Sequence, residues 1–343
     1  MPRCLYCYKE LDENQADYHP KCMMAFYGTK HAPILPYRLS EMEKLAKEAA
    51  ALSITIPGVQ PKLSLGWIKT ALVNGHQGRL TIMDALEGNY ILKPQNADYP
   101  QMPENEHLSM KLAELFKIDI VPVNMIRLQS GELCFITKRI DRNPDGSKNH
   151  MIDFLQILEL ADKYMGTMET LGKTIGDLSS NTLLDKLRFF ESTVFNYIIG
   201  NNDMHLKNYS MFLSEMGWVL SPFYDLLNVK VILPKDKEDT ALMLGGKKEN
   251  FNKGYFDRLG AVLKLNDKQI NAVYKRLQKW LPEANQLIDR SFLTEDYKNR
   301  YKELIKQRVN QFAVGLKPLT AKTKSQRQKP TPTANSQQPT AKS

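Results

Sequence analysis

A nine-residue segment rich in polar side chains, between two apolar runs, is the most constraining stretch of this sequence. Residues 200–208 read Gly-Asn-Asn-Asp-Met-His-Leu-Lys-Asn and so combine an acid, a histidine, a lysine and three asparagines. An apolar run, 194–199, precedes them, and a strand-like run, 209–213, follows. So many polar groups between buried elements favour a loop that is held rigidly at a functional site. The alternative is a loop whose side chains hydrogen-bond only to its own backbone.

Two acids and an amide in this region have the spacing of a phosphoryl-transfer site. Asp203 and Asn208 are five residues apart, like the base and the metal-binding asparagine of a kinase. A short strand pair follows, and then a second isolated acid, Asp225. The order along the chain is therefore an acid that could act as a base, an asparagine, a hairpin and an aspartate. The second lobe of a kinase has its functional parts in this order.

Length and composition allow about two lobes, each with its own core. The chain has 343 residues, of which 42% are hydrophobic and 25% charged, as is usual for a globular protein. The N-terminus has no apolar signal segment, and no apolar run approaches the roughly 20 residues that span a bilayer, so we expect a cytoplasmic protein without membrane contact. Residues 317–343 carry six of the nine excess positive charges and no acid. The remaining charge is too small to argue for nucleic-acid binding.

Three cysteines and a histidine near the N-terminus have the spacing of metal ligands. They read Cys4-x2-Cys7-x11-His19-x2-Cys22. Two short chelating pairs separated by a loop predict a structural Zn²⁺ site, since four protein ligands leave no open position. The alternatives are free thiols or, less favoured, iron. Cys134 stands alone in an apolar strand and is predicted to lie in the core.

The order of predicted elements gives an α+β, bilobal, protein-kinase-like fold with a small β-rich N-lobe and a helical C-lobe. Helices are predicted over 153–161 and 182–199, the second with Leu183, Leu184 and Phe190 on its apolar stripe. The predicted segments are a Cys/His segment at 1–35, the N-lobe at 36–142, the C-lobe at 143–316 and a disordered basic tail at 317–343.

Two segments of the N-lobe contain candidate phosphate-binding groups. A Ser/Thr-rich turn with one glycine, 53–62, could present backbone N–H groups to phosphates. Because it matches no established phosphate motif, a plain Pro-Gly turn is the favoured interpretation of this segment by itself. Lys93 closes an apolar strand, either as a solvated strand end or as a phosphate-binding lysine. Glu104 and Glu106 begin a helix, where they suit its dipole, and either could pair with that lysine.

Six segments together resemble the HipA family of bacterial serine/threonine kinase toxins, which have a two-lobed fold related to the phosphoinositide kinases. The resemblance covers about residues 50–315. The segments are Gly58-Val59-Gln60-Pro61-Lys62, Leu92-Lys93-Pro94, Glu104-Asn105-Glu106, Arg139-Ile140-Asp141-Arg142, the 200–208 loop and Tyr224-Asp225-Leu226-Leu227.

The resemblance implies a role for each matching position. Asp203 corresponds to the base that accepts the proton of a Ser or Thr hydroxyl. Asn208 and Asp225 correspond to the Mg²⁺ ligands, and Lys93 to the phosphate-binding lysine with Glu106 as its partner. The remaining implied ATP contacts are Pro57, Gly58, Val59, Gln60, Pro61, Lys62, Lys138, Arg139, Ile140, His205 and Tyr224.

The resemblance also implies a mode of regulation. The family phosphorylates itself in the phosphate loop, three residues before the glycine. This position is Thr55 here, with Ser53 as a second candidate. A phosphate there would add nearly two negative charges where ATP phosphates bind, and would eject the loop.

Further implications concern partners. The short N-terminus resembles the compact, HipT-like branch, whose extra N-terminal domain is a separate protein. The implied partners are that HipA N-terminal-domain-like protein and a HipB-like helix-turn-helix antitoxin, through which alone DNA is contacted. The implied protein substrate is typically an aminoacyl-tRNA synthetase.

Two other functions are compatible with this scaffold. One is a small-molecule kinase of the aminoglycoside-phosphotransferase kind, against which the Thr55/Ser53 loop argues. The other is a non-catalytic, kinase-like subunit of a DNA-bound repressor. A degenerate kinase should have lost at least one of its functional residues, yet all four are present: Lys93, Asp203, Asn208 and Asp225.

Overall fold

The computed structural model describes residues 2–30, 32–42, 44–45, 62–68, 79–82, 88–143 and 145–313. Within these ranges a sheet-rich first part and a helical second part enclose a cleft. None of the described helices is both long and apolar enough to cross a membrane. Residues 53–61, with most of the predicted phosphate loop, and the predicted tail lie outside the described residues.

The first part is built on a five-stranded antiparallel sheet. Its elements are α1 (Pro20–Tyr27), β1 (Leu63–Ile68), β2 (Arg79–Ile82), β3 (Tyr90–Lys93), α2 (Met102–Leu115), β4 (Val123–Arg127) and β5 (Leu133–Lys138). The strand order is β2-β1-β3-β5-β4, and Lys93 lies opposite Phe135. Pro103 occupies the first turn of α2, where its missing N–H costs no helical hydrogen bond. Leu108 and Leu112 form the buried face of α2, and Cys134 is buried in the core as predicted.

The second part is mainly helical. Its elements are β6 (Met151–Asp153), α3 (Phe154–Ile157), α4 (Met168–Leu178), α5 (Thr182–Ile199), a 3₁₀ turn (Leu206–Asn208), β7 (Ser210–Ser214), β8 (Gly217–Leu220), α6 (Val229–Ile232), α7 (Lys253–Val262), α8 (Asp267–Arg290) and α9 (Glu295–Ala313). Strands β6, β7 and β8 form a small antiparallel sheet in that order. The long α5 confirms the helix that was predicted over 182–199.

Two local predictions for this part are wrong. The helix predicted over 153–161 is a single turn: Asp153 caps its start, and Glu159, with a left-handed backbone at φ +51°, lies beyond its end at Ile157. Leu183 and Leu184 are 56% and 48% exposed, so they do not belong to the buried stripe of α5 that contains Phe190. The first error concerns the end of a helix and the second its first turn, and the two ends of an element are where local pattern carries the least information.

Helix α2 is attached to the second part as well as to the sheet. The Asn105 side chain donates to the Asn228 carbonyl at 3.0 Å, and the Trp280 indole donates to the Leu112 carbonyl at 3.2 Å. The Val121 amide, just beyond the helix, donates to the Phe223 carbonyl at 3.0 Å. These bonds fix the position of α2 relative to the residues around Asp225.

Candidate active site and candidate metal centre

A cleft of about 440 Å³ lies between the two parts of the molecule. It brings together all eleven described residues that were predicted for the kinase site. They are Lys62, Lys93, Glu106, Lys138, Arg139, Ile140, Asp203, His205, Asn208, Tyr224 and Asp225. Pro57, Gly58, Val59, Gln60 and Pro61, together with Ser53 and Thr55, lie outside the described residues.

A buried ion pair connects the sheet to α2. The Lys93 ammonium at the end of β3 lies 2.5 Å from Oε1 of Glu106, and the two side chains are 4% and 3% exposed. Glu104 instead accepts a hydrogen bond from Gln95 at 2.8 Å. Burial raises the pKa of Glu106 to about 7 in spite of the neighbouring Lys93. Burial alone would lower the pKa of Lys93, but the carboxylates of Asp225 and Glu106 hold it above its usual value.

Asp225 is held by two lysines. Lys93 approaches its Oδ1 at 2.6 Å and Lys62 approaches its Oδ2 at 2.8 Å. Burial acts to raise the pKa of Asp225, yet the two ammonium groups bring it well below its usual range. The backbone of Asp225 has φ +57°, a left-handed conformation that non-glycine residues adopt mainly at constrained sites. The structure therefore presents an ionised carboxylate in an enforced position.

The 200–208 loop begins where α5 ends at Gly200. This residue has φ +78°, and a Cβ atom there would lie 2.6 Å from Leu304, so glycine suits both the conformation and the packing. Asp203 is exposed, and its Oδ1 accepts a hydrogen bond from the Tyr164 hydroxyl at 3.1 Å. The Asn208 side-chain NH₂ donates to the Asp203 carbonyl at 2.9 Å. This bond leaves the amide oxygen of Asn208 available to a ligand in the cleft.

His205 and Tyr224 support the loop from inside the cleft. Burial lowers the pKa of His205, so its imidazole is neutral at pH 7, and its Nδ1 has no hydrogen-bond partner among the described residues. The Tyr224 hydroxyl donates to the Lys207 carbonyl at 3.0 Å and lies 2.6 Å from Oγ of Ser210. Because Tyr224 directly precedes Asp225, its hydroxyl connects the 200–208 loop to the segment that carries Asp225.

The segment after β5 already uses several of its backbone groups within the protein. The amides of Lys138 and Arg139 donate to the carbonyls of Pro122 and Asn89 at 3.0 and 2.8 Å. The Ile140 carbonyl accepts from the side chain of Asn149 at 3.1 Å. These two amides are therefore not available to the adenine ring of a nucleotide, whereas the Ile140 carbonyl can still accept a second hydrogen bond.

Tyr164 and Lys163 are among the residues at the cleft that were not predicted from the sequence. Tyr164 contacts Asp203 directly, and its neighbour Lys163 lines the cleft. Tyr164 precedes Asp203 by 39 residues. It stands in a loop without periodic pattern, and nothing local in the sequence points to the contact.

The four predicted N-terminal metal ligands are also brought together. One ligand atom from each of Cys4, Cys7, His19 and Cys22 lies within 4.8 Å of the others. His19 turns Nδ1 toward the Cys7 and Cys22 sulfurs, at 3.5 and 3.7 Å, and its Nε2 lies 2.9 Å from the Glu10 carbonyl. Donation from Nε2–H to that carbonyl selects the tautomer in which Nδ1 can bind a metal. Three thiols and one imidazole form a donor set suited to Zn²⁺.

The fold and the cleft together define a two-lobed, kinase-like protein, as the sequence predicted. The HipA structure of Shewanella oneidensis, in complex with HipB and operator DNA, has the same fold. The match has a TM-score of 0.62 at 19% identity, and covers 76% of this chain and 65% of that one. The model of the HipA-like C-terminal domain matches residues 54–285, and the chain belongs to this family.

Relatives in the family carry kinase names. A putative kinase of Haemophilus influenzae is 29% identical over 247 residues, which are 67% of this chain and 69% of that protein. Putative kinase Y4dM of Sinorhizobium fredii is 29% identical over 270 residues, covering 70% and 63%. The serine/threonine-protein kinase toxin HipA of Shewanella oneidensis is 25% identical over 197 residues, covering 51% and 43%. The sequence match therefore spans less than half the length of the relative that is named as a toxin.

Proposed function

We propose that this protein is an ATP- and Mg²⁺-dependent serine/threonine protein kinase that acts as the toxin of a toxin–antitoxin system. The observation that carries the proposal is the convergence of a buried Lys93–Glu106 pair, an exposed Asp203 and the oxygens of Asn208 and Asp225 on one cleft. This set supplies phosphate binding, a base and metal ligands, which are the parts that phosphoryl transfer needs.

Asp203 is the proposed base. Its carboxylate is exposed at the cleft, where a Ser or Thr hydroxyl of a protein can reach it. The hydroxyl oxygen bonds to the γ-phosphorus of ATP, the bond from that phosphorus to the bridging oxygen of ADP breaks, and the hydroxyl proton passes to Asp203. Tyr164 orients the carboxylate through Oδ1, which leaves Oδ2 for the proton.

Asn208 and Asp225 are the proposed Mg²⁺ ligands. Both offer hard oxygen donors, and the bond from Asn208 to the Asp203 carbonyl leaves its amide oxygen for a metal. When bound with ATP, Mg²⁺ neutralises charge on the phosphates. Lys62 and Lys93 pair with the two carboxylate oxygens of Asp225. Asp225 could bind a metal once these ammonium groups were drawn toward the phosphates of ATP. Lys62, at the end of the proposed phosphate loop, and the 138–140 segment complete the ATP site.

Zn²⁺ is the proposed occupant of the Cys/His cluster, in a structural role, because all four donors are protein atoms.

The proposed segments remain 1–35 for this unit, 36–142 and 143–316 for the two lobes and 317–343 for a basic tail. Regulation by phosphorylation of Thr55 or Ser53 rests on the family resemblance.

The proposed partners follow from the family. A HipB-like antitoxin is supported by the complex in which the Shewanella HipA structure was solved. A separate HipA N-terminal-domain-like protein and an aminoacyl-tRNA synthetase substrate rest on the resemblance, as does a location in the cytoplasm.

A transfer panel tests the proposal. The purified chain is incubated with ATP and Mg²⁺, alone, with bacterial aminoacyl-tRNA synthetases and with aminoglycosides. We expect phosphoserine or phosphothreonine on a protein acceptor. Phosphate on the aminoglycosides alone would instead make the protein a small-molecule kinase.

A further inference from the structure

Three consecutive residues of α2 contact three different parts of the molecule. Asn105 bonds to the second lobe at Asn228, Glu106 pairs with Lys93 on the sheet, and His107 bonds to the N-terminal Cys/His segment. The position of Glu106 is therefore fixed between two anchors on the same helix turn. One of these anchors belongs to the segment with the candidate metal centre.

The contact between the N-terminal segment and α2 is direct and buried. The Tyr8 hydroxyl lies 2.7 Å from Nδ1 of His107, and neither side chain is accessible to solvent beyond 1%. The Tyr8 ring packs edge-on against His107 at 5.2 Å and against Phe292 of the second lobe at 5.5 Å. The hydroxyl thus joins two elements that are 99 residues apart in sequence.

The candidate metal ligands determine where Tyr8 lies. Tyr8 follows Cys7 directly, and its amide donates to the Cys4 carbonyl at 2.9 Å. Its backbone has φ +61°, a conformation that a bulky residue adopts only when its surroundings impose it. A segment this short cannot bury a core of its own, so a bound metal would supply much of the free energy that maintains this turn.

The same segment also contacts the strand that carries Lys93. The rings of Phe26 and Tyr27 pack against Tyr90, at the start of β3, with centroids 5.9 and 5.8 Å apart. Lys93 is the last residue of that strand. Both partners of the buried ion pair therefore stand on elements that the Cys/His segment touches.

We propose that the metal-bound Cys/His segment is a brace that positions Glu106 against Lys93, with Tyr8 and His107 as the positioning residues. A metal bound by this segment would then influence the position of Glu106 in the cleft through Tyr8 and His107, without itself contacting the cleft. Only the effect on phosphate transfer rests on the function proposed above. The mechanical coupling can be measured without it.

Hydrogen exchange of the full chain tests the brace. Peptides covering α2 are followed with stoichiometric Zn²⁺ and after removal of Zn²⁺ by a chelator, in wild type and in Tyr8→Phe. The matched control is Tyr18→Phe, which loses a similar buried bond, from the Tyr18 hydroxyl to the Met125 carbonyl at 2.5 Å on β4. Both variants keep their rings.

We expect exchange in α2 to rise about fivefold in Tyr8→Phe, the equivalent of one net hydrogen bond, and further on chelation. Tyr18→Phe should leave α2 unchanged. In transfer assays, Tyr8→Phe should lower kcat while its zinc content matches wild type.

Two results would overturn the brace. One is faster exchange in residues 2–30 on chelation with α2 unchanged, since the segment would then be an independent unit. The other is an equal effect of Tyr8→Phe and Tyr18→Phe on α2, which would indicate general destabilisation. If wild type transferred no phosphate but exchange in α2 still rose on chelation and in Tyr8→Phe, the result would count against the proposed function and would support the brace.

Discussion

Replacing Lys93 by methionine should make the stability of the protein depend more steeply on pH. Methionine preserves most of the buried volume but removes the cation that faces Glu106 at 2.5 Å. Glu106 is almost fully buried, and its pKa in the folded state is already raised from 4.5 to about 7 with Lys93 present. Without that cation the same burial must raise the pKa further.

The size of the effect follows from proton linkage. When folding raises the pKa of a carboxyl group, the folded state loses stability as pH rises from the pKa of the unfolded state to the pKa of the folded state. Above the folded-state pKa the loss does not increase further. In wild type this loss therefore ends near pH 7. In Lys93→Met it continues at about 1.4 kcal/mol per pH unit, which gives a further loss of about 2 kcal/mol by about pH 8.5. Asp225 keeps Lys62 at 2.8 Å and adds no pH dependence in this range.

Urea denaturation followed by tryptophan fluorescence at pH 6, 7 and about 8.5 measures this slope. The double variant Lys93→Met/Glu106→Gln is the control, because it removes the titrating group and should abolish the extra loss while leaving transfer inactive. Equal slopes for wild type and Lys93→Met, or an undiminished slope in the double variant, would refute the assignment of Glu106 as the buried partner.

Two further predictions concern the loops. Thr55→Ala should remove the main phosphopeptide formed with ATP and Mg²⁺, a prediction that fails if wild-type phosphate maps only to Ser53. Tyr224→Phe should lower the free energy of unfolding by about 1–2 kcal/mol, because it loses the bonds to Ser210 and to the Lys207 carbonyl. It should also slow transfer, and unchanged denaturation midpoints would show that these bonds do not stabilise the loop.

The fold class was predictable because long periodic segments and the order of strands and helices are local features of the sequence. The helix over 182–199 is of this kind. The helix over 153–161 failed because the chain leaves the helical conformation after Ile157, with Glu159 in a left-handed backbone, and no glycine or proline marks this end in the sequence.

The candidate site was predictable in its membership rather than in its contacts. Motif spacing for Asp203 and Asp225, and the family resemblance for Lys93, selected residues that line one cleft. That two lysines bind Asp225, that Tyr164 bonds to Asp203 and that Tyr8 bonds to His107 depend on side chains brought together by the fold. No local pattern in the sequence encodes such long-range contacts.

Asp203 is the residue that would make this cleft a phosphoryl-transfer site. The intact mass of the chain after incubation with ATP and Mg²⁺ tests this role, for wild type, Asp203→Asn and the control Glu215→Gln, an exposed acid on the turn between β7 and β8. We expect a gain of phosphate in wild type and in Glu215→Gln, and none in Asp203→Asn, which should still fold and bind ATP. A gain of phosphate in Asp203→Asn equal to that in wild type would show that Asp203 is not the base.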